Sequence, residues 1–176
     1  MISDATVDAH LLGHFGQPTK TAKFSWGIHL VHVRHWAASR TDEGVDLYVT
    51  VGARLARSGP HTTEFFIGLT PGQDDVAGPL AALWRYQTKQ NVTFDHGHTI
   101  PGEKPLWRDT GLDSMLVLRQ ANSVIPMVTA GQEHVEFMQV VPITSDERRS
   151  VHREGVDAFL RDWEDRAVPF WDSRRR

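Results

Sequence analysis

Apolar positions recur at helical spacing in three parts of the chain and crowd together at strand-like density between them. From Asp4 to Phe15, Val7, Leu11, Leu12 and Phe15 share one helical face, with Ser3 or Asp4 as N-cap and Gly13 and Gly16 near the end. The segments Phe24 to Trp36 and Val45 to Gly52 are rich in β-branched and aromatic residues, and the turn formers SRTDEG between them predict a hairpin. A third strand, TEFFIGL at Thr63 to Leu69, is stopped by TPGQDD. Val76, Leu80, Leu83, Trp84 and Gln87 then repeat with helical period, which places Pro79 in a first turn.

Beyond a long irregular run, Ser114 to Arg119 and Val135 to Val141 predict two more strands, with room for a short one near Pro126 and Gly131. TSDE at Thr144 to Glu147 has the form of a capping box, so a helix should follow, with Val156, Phe159, Leu160 and Trp163 on its buried face. Strands come in consecutive groups rather than alternating with helices. That order favours an α+β fold with a mixed, largely antiparallel sheet and flanking helices, which are expected on one face. No linker or repeat divides the chain, so residues 1–176 are expected to form one domain with its core at about 5–165 and a solvated tail at 166–176, ending in Arg174 to Arg176.

Composition narrows the function more than it names it. A net charge of −3 lacks the basic excess of a nucleic-acid binder. The absence of cysteine removes disulfides, thiol nucleophiles and cysteine-bearing zinc sites. The N-terminal residues carry acids and histidines without a basic, then apolar, leader pattern, and no run is long enough for a membrane span, so a cytoplasmic location is expected.

The irregular run NVTFDHGHTIPGEKPLW, Asn91 to Trp107, concentrates the candidate chemistry. Asp95, His96 and His98 could approach one ion, as in a metal-dependent hydrolase using zinc, yet a third strong ligand is not evident. In the plainer reading Ile100, Leu106, Pro101 and Pro105 anchor the loop, Gly97 and Gly102 allow its turns, and His98 ties it with a hydrogen bond. Asp95, His96, Glu103, Lys104 and Trp107 would then face a partner. His29, His32 and His35 lie on strand-like sequence, where His29 and His35 face one side and His32 the other, so they cannot share a metal. No nucleophile elbow, phosphate loop or dinucleotide fingerprint occurs, and pairs such as Asp74 with Asp75 or Asp42 with Glu43 fit turns and a helix start. No catalytic residue, metal or cofactor is therefore assigned. Of the six tryptophans, Trp84 and Trp163 belong on buried helical faces, whereas Trp36, Trp107 and Trp171 lie near element ends, where an indole can anchor a partner.

Four stretches in order carry a resemblance: LWRYQTKQNVTF, GHTIPGEKPL, the apolar strand after it, and FMQVVPITSDE. Together they resemble the suppressor of fused domain family, well over Phe65 to Leu160 and more weakly over Asp8 to Gly52, through HLLGHFG and the aromatic hairpin. The resemblance implies a mixed sheet with flanking helices. It also implies a non-enzymatic protein-binding role: animal members are regulatory proteins that clamp a transcription-factor peptide between this domain and a second one. Many single-domain bacterial members look like immunity proteins of polymorphic toxin systems, and that is the form this chain resembles. Gly52, Ala53 and Arg54 stand where many relatives have Gly-x-Ser, so a contact made there is not carried over. The expected partner is thus a toxin or a regulatory protein, with Trp36, Asp95, His96, Glu103 and Trp107 as candidate contacts. A regulatory peptide-binding module that accepts a strand at a sheet edge is the alternative. The sequence does not set the oligomeric state.

Overall fold

Ser3 starts the first helix, its hydroxyl accepting the Thr6 amide at 3.1 Å, and Gly16 ends it at φ 72°. This is helix α1, Asp4–Phe15. In a computed structural model, which describes residues 2–56, 61–120 and 124–175, the elements that follow are strands β1 (Lys20–Trp26), β2 (His29–Trp36), β3 (Asp46–Val51) and β4 (His61–Leu69), then helix α2 (Ala77–Gln90). Strands β5 (Thr99–Pro101), β6 (Ser114–Arg119), β7 (Val128–Ala130) and β8 (Glu133–Ile143) come next, then helices α3 (Ser145–Glu154) and α4 (Val156–Asp165).

All eight strands form one mixed sheet in the order β1-β2-β3-β4-β8-β6-β5, with β7 paired beside β8. Every pairing is antiparallel except β4 with β8, which run parallel from His61↔His134 to Phe66↔Gln139. The α+β class and the largely antiparallel sheet are as the strand grouping predicted. Three local expectations are corrected. Phe24 to Trp36 is two strands, because Gly27 at φ 64° turns the chain back so that Trp26 pairs with His29. The helix after the capping box breaks at Gly155, φ 83°, into α3 and α4. The helices also cover both faces of the sheet rather than one.

The two faces follow from strand alternation. Val31, Val33, Phe65, Ile67, Val117, Met138 and Val140 point toward α2 and its Leu80, Leu83 and Trp84. Val49, Val51, Phe66, Val135 and Phe137 point the other way, under Val7 and Leu11 of α1 and Ile125. On that second face, farther along, Leu116, Val141 and Ile143 are covered by Val151, Phe159 and Trp163 of α3 and α4. Glutamate and threonine of the capping box exchange both predicted bonds, Glu147 amide to Thr144 hydroxyl at 3.2 Å and Thr144 amide to Glu147 carboxylate at 2.8 Å.

The expected solvated tail is instead part of the core's rim. Val168 and Phe170 pack on the α3/α4 cluster. The Thr70 amide donates to the Trp171 carbonyl at 2.8 Å, and the Arg175 guanidinium bonds Glu147, donates to the Pro142 carbonyl at 2.8 Å and lies over the Trp163 ring. Of the expected basic tip only Arg174 is exposed among the described residues, and Arg176 lies outside them.

Candidate functional site

Helix α2 ends at Asn91, which takes the left-handed conformation at φ 52°, and Phe94 then buries its ring in the α2 face of the sheet. The chain next runs alongside β6. The Gly97 amide donates to the Val117 carbonyl at 2.9 Å and the Val117 amide to the His98 carbonyl at 2.8 Å, so β5 begins as a continuation of this pairing. His98 closes a small ring by accepting the Asp95 amide on Nδ1 at 3.0 Å, which is the predicted tie. His96 accepts the Arg119 amide on its own Nδ1 at 3.1 Å and turns Nε2 toward Asp157.

The two imidazoles therefore serve different backbone amides, and their first nitrogens are both used. Among the described residues no group of three histidines and carboxylates gathers to hold a metal ion. What Asp95 and His96 join is a surface network: Arg119 reaches Asp95 at 2.8 Å and Glu136 at 3.0 Å. Glu103 and Lys104 are exposed at the next turn.

The glycines do what the sequence required of them, by two different means. Gly97 has φ 85°, and a Cβ there would stand 2.9 Å from the Val156 side chain. At Gly102 the constraint is contact: a Cβ would lie 2.1 Å from the Asp113 carbonyl oxygen. Ile100 is buried and Leu106 half-buried, but Pro101 and Pro105 are exposed and do not anchor the loop. Pro101 instead edges a shallow apolar hollow of about 220 Å³ against Pro79, Leu83 and Tyr86.

Two proposed contact residues are corrected. Trp36 is 0% exposed, under α1, with its indole N–H donating to the Gly16 carbonyl at 2.9 Å. Trp107 is 5% exposed, and its indole donates to the Ser173 carbonyl at 2.7 Å. An indole near an element end can serve as a staple between elements as well as an anchor for a partner, and sequence position alone does not separate the two. Trp171, at 42%, is the only exposed tryptophan of the six.

The histidines of β2 divide as the alternation predicted. His29 packs on Trp84 and His35 on Tyr48, on the α2 side, while His32 lies on the other. His35 is buried, with Asp46 3.4 Å away. Burial, then the nearby Arg34 charge, lowers the pKa of His32. Burial and then Asp46 raise that of Tyr48.

At the end of β3, Gly52 to Arg54 form a turn whose three amides point at one carboxylate. Glu64, 0% exposed, accepts the Gly52, Ala53 and Arg54 amides, the Thr50 hydroxyl at 2.6 Å and the Arg54 guanidinium at 3.0 Å. Arg54 continues to Asp4 and to the Ile2 carbonyl, so the start of α1 is tied to the sheet. Burial opposes the Arg54 charge, but Glu64 and Asp4 outweigh it and raise its pKa. Gly52, Ala53 and Arg54 thus close an internal site around Glu64.

The feature that the sequence did not signal is a gap on the second face of the sheet. Between the α1 cover and the α3/α4 cover, part of β3, β4 and β8 is left without a helix. Leu47, Phe66, Gly68 and Gln139 floor an open groove of about 530 Å³, walled by Val124, Phe170 and Trp171 and lipped by Glu43, Gly44 and Val45. Its volume lies in the range of ligand-sized sites. A break between two covers depends on where helices land, which periodicity along one strand does not report.

The suppressor of fused protein (SUFU) family profile matches residues 27–176. The chain belongs to the suppressor of fused family. Among solved structures, a SUFU homologue of Neisseria gonorrhoeae FA 1090 matches at TM-score 0.75 and 19% identity, over 98% of this chain and 94% of that one. Drosophila Suppressor of Fused matches at TM-score 0.70 and 15% identity over 97% of this chain, which spans 49% of the fly protein. The structure of the Sufu–Fu complex matches at TM-score 0.67 and 15% identity, over 89% of this chain and 82% of the other. At these identities the likeness speaks to fold. A sequence search of curated proteins gives no match. Among the described residues no helix is long and apolar enough to cross a membrane.

Proposed function

We propose that this suppressor of fused domain is a non-enzymatic, cytoplasmic protein-binding module, and that its partner is a toxin that it neutralises by stoichiometric occlusion. The observation that carries the reading is the uncovered stretch of sheet, an apolar groove beside the exposed Trp171 on an otherwise well-covered fold. The groove opens beside an exposed indole, and tryptophan is prominent among interface anchors. The family adds support, since a structural relative is known as a complex with a protein, Fu.

The titratable groups of the loop at 91–107 lend themselves to structure and recognition. His96 and His98 spend their first nitrogens on backbone amides, and Asp95 is held by Arg119. Catalysis by general acid and base would need such groups aimed at a shared cavity. The test is co-expression with the products of adjacent genes, followed by capture and mass spectrometry. A one-to-one complex that silences a toxic neighbour is expected. A chain that captures none of those products and protects no cell from them would overturn the toxin reading.

A further inference from the structure

The groove has a lip of one charge. Glu43 lines it, Asp42 is exposed next to it, and neither carboxylate pairs with a cation among the described residues. Among the described residues no lysine or arginine lines the groove. Below the lip, half-buried Val45 and Phe170 and exposed Trp171 form the walls over a floor in which Leu47 and Phe66 are buried, and the Phe170 and Trp171 rings meet edge to face at 4.9 Å. Gln139 places a single amide on this apolar floor.

We infer that the groove takes an extended polypeptide segment of the partner that inserts one bulky apolar side chain and sets an arginine or lysine against Asp42 and Glu43. This rests on the protein-binding reading and gives it a chemistry. A cavity of about 530 Å³ holds one large aromatic side chain together with its flanking backbone. Gln139, half-buried at the floor, can exchange hydrogen bonds with a peptide group. An unpaired carboxylate at the rim steers a cation inward, while the desolvated aromatic wall supplies the anchor.

The experiment uses the full chain and dye-labelled, end-capped pentapeptides, read by fluorescence anisotropy. One peptide carries phenylalanine between two arginines, one phenylalanine between two glutamates, one phenylalanine between two glutamines, and one alanine between two arginines. The first should bind at least fivefold more tightly than each of the others. Glu43→Lys should weaken it by about fivefold or more, and Trp171→Ala by a similar factor. Both residues are exposed, so unchanged unfolding curves will show that the fold is kept. Equal binding of the acidic or uncharged peptide, or indifference to either substitution, would overturn the inference.

The same variants separate this inference from the broader reading. A partner captured from adjacent genes that still binds Glu43→Lys and Trp171→Ala at full strength would remove the groove and leave the domain a protein binder. Selective binding of the arginine peptide with no toxin among the neighbours would keep the groove and remove the toxin.

Discussion

The Arg54 guanidinium lies 3.0 Å from the Glu64 carboxylate, and neither side chain reaches solvent. Five donors converge on that carboxylate, so the charge is built into the turn between β3 and β4 rather than resting on its surface. Removing one partner of such a pair leaves the other charge buried alone, which costs about 3–5 kcal/mol. Arg54→Met is expected to lower unfolding stability by that amount in a denaturant titration. Arg54→Met combined with Glu64→Gln should recover part of the loss, since no bare charge remains.

Gly97 and Gly102 separate two reasons for a glycine. Gly97→Ala places a side chain at φ 85° and against Val156, with an expected cost of about 1–2 kcal/mol. Gly102→Ala meets the rigid Asp113 carbonyl and should cost about 3 kcal/mol, at the top of the range for overpacking. Comparing denaturation midpoints of the two variants checks the order. A smaller effect at Gly102 would contradict the close approach of β5 to the start of β6.

How much of this was legible beforehand differs between elements. The capping box at Thr144 and the helix at Asp4 were readable because each depends on neighbours within a few residues, whereas the need for glycine at 97 and 102 was readable only as turn chemistry and not as the contacts with Val156 and Asp113 that enforce it. The fold class followed from grouping of the strands. Gly27 was hidden inside an apolar run whose composition suited a strand on both sides, so two strands read as one. Trp36 and Trp107 were misplaced for a different reason: their partners, Gly16 and Ser173, come from distant turns. The groove was invisible because it is a space between two packed layers, set by tertiary placement and by no single stretch of residues.

His32 gives the molecule a pH dependence with a defined sign. Its pKa is below 6.5 in the folded chain, chiefly through burial, so the unfolded chain takes up the proton first. Stability should fall as pH drops below about 6.5 and level off, for this group, once the folded imidazole also protonates. Denaturation midpoints measured from pH 7.5 to 5 should show that slope, and His32→Gln should flatten it. An unchanged slope in the variant would assign the effect elsewhere.

Trp107→Phe keeps the ring in the core but removes the donor to the Ser173 carbonyl. The expected cost is about 1–3 kcal/mol, the price of a buried acceptor left unmade. The loss should be local, so limited proteolysis should clip the variant within residues 166–175 sooner than the parent chain. Equal clipping would mean that the Thr70 and Arg175 bonds and the packing of Val168 and Phe170 hold the segment without the indole.

The parallel seam between β4 and β8 has a consequence for how the chain is made. On the ribosome, β1 to β4 can zip together as they emerge, since each pairs with its predecessor. β4 must then wait for β8, which is synthesised more than sixty residues later and is also the strand that β6 needs. Until then the open backbone of β4, flanked by Phe65, Phe66 and Ile67, is an invitation to pair with the wrong chain. During the latter half of its synthesis the nascent chain should therefore be most prone to mispairing, and the yield of folded protein should respond more to the protection of that edge than to small changes in final stability.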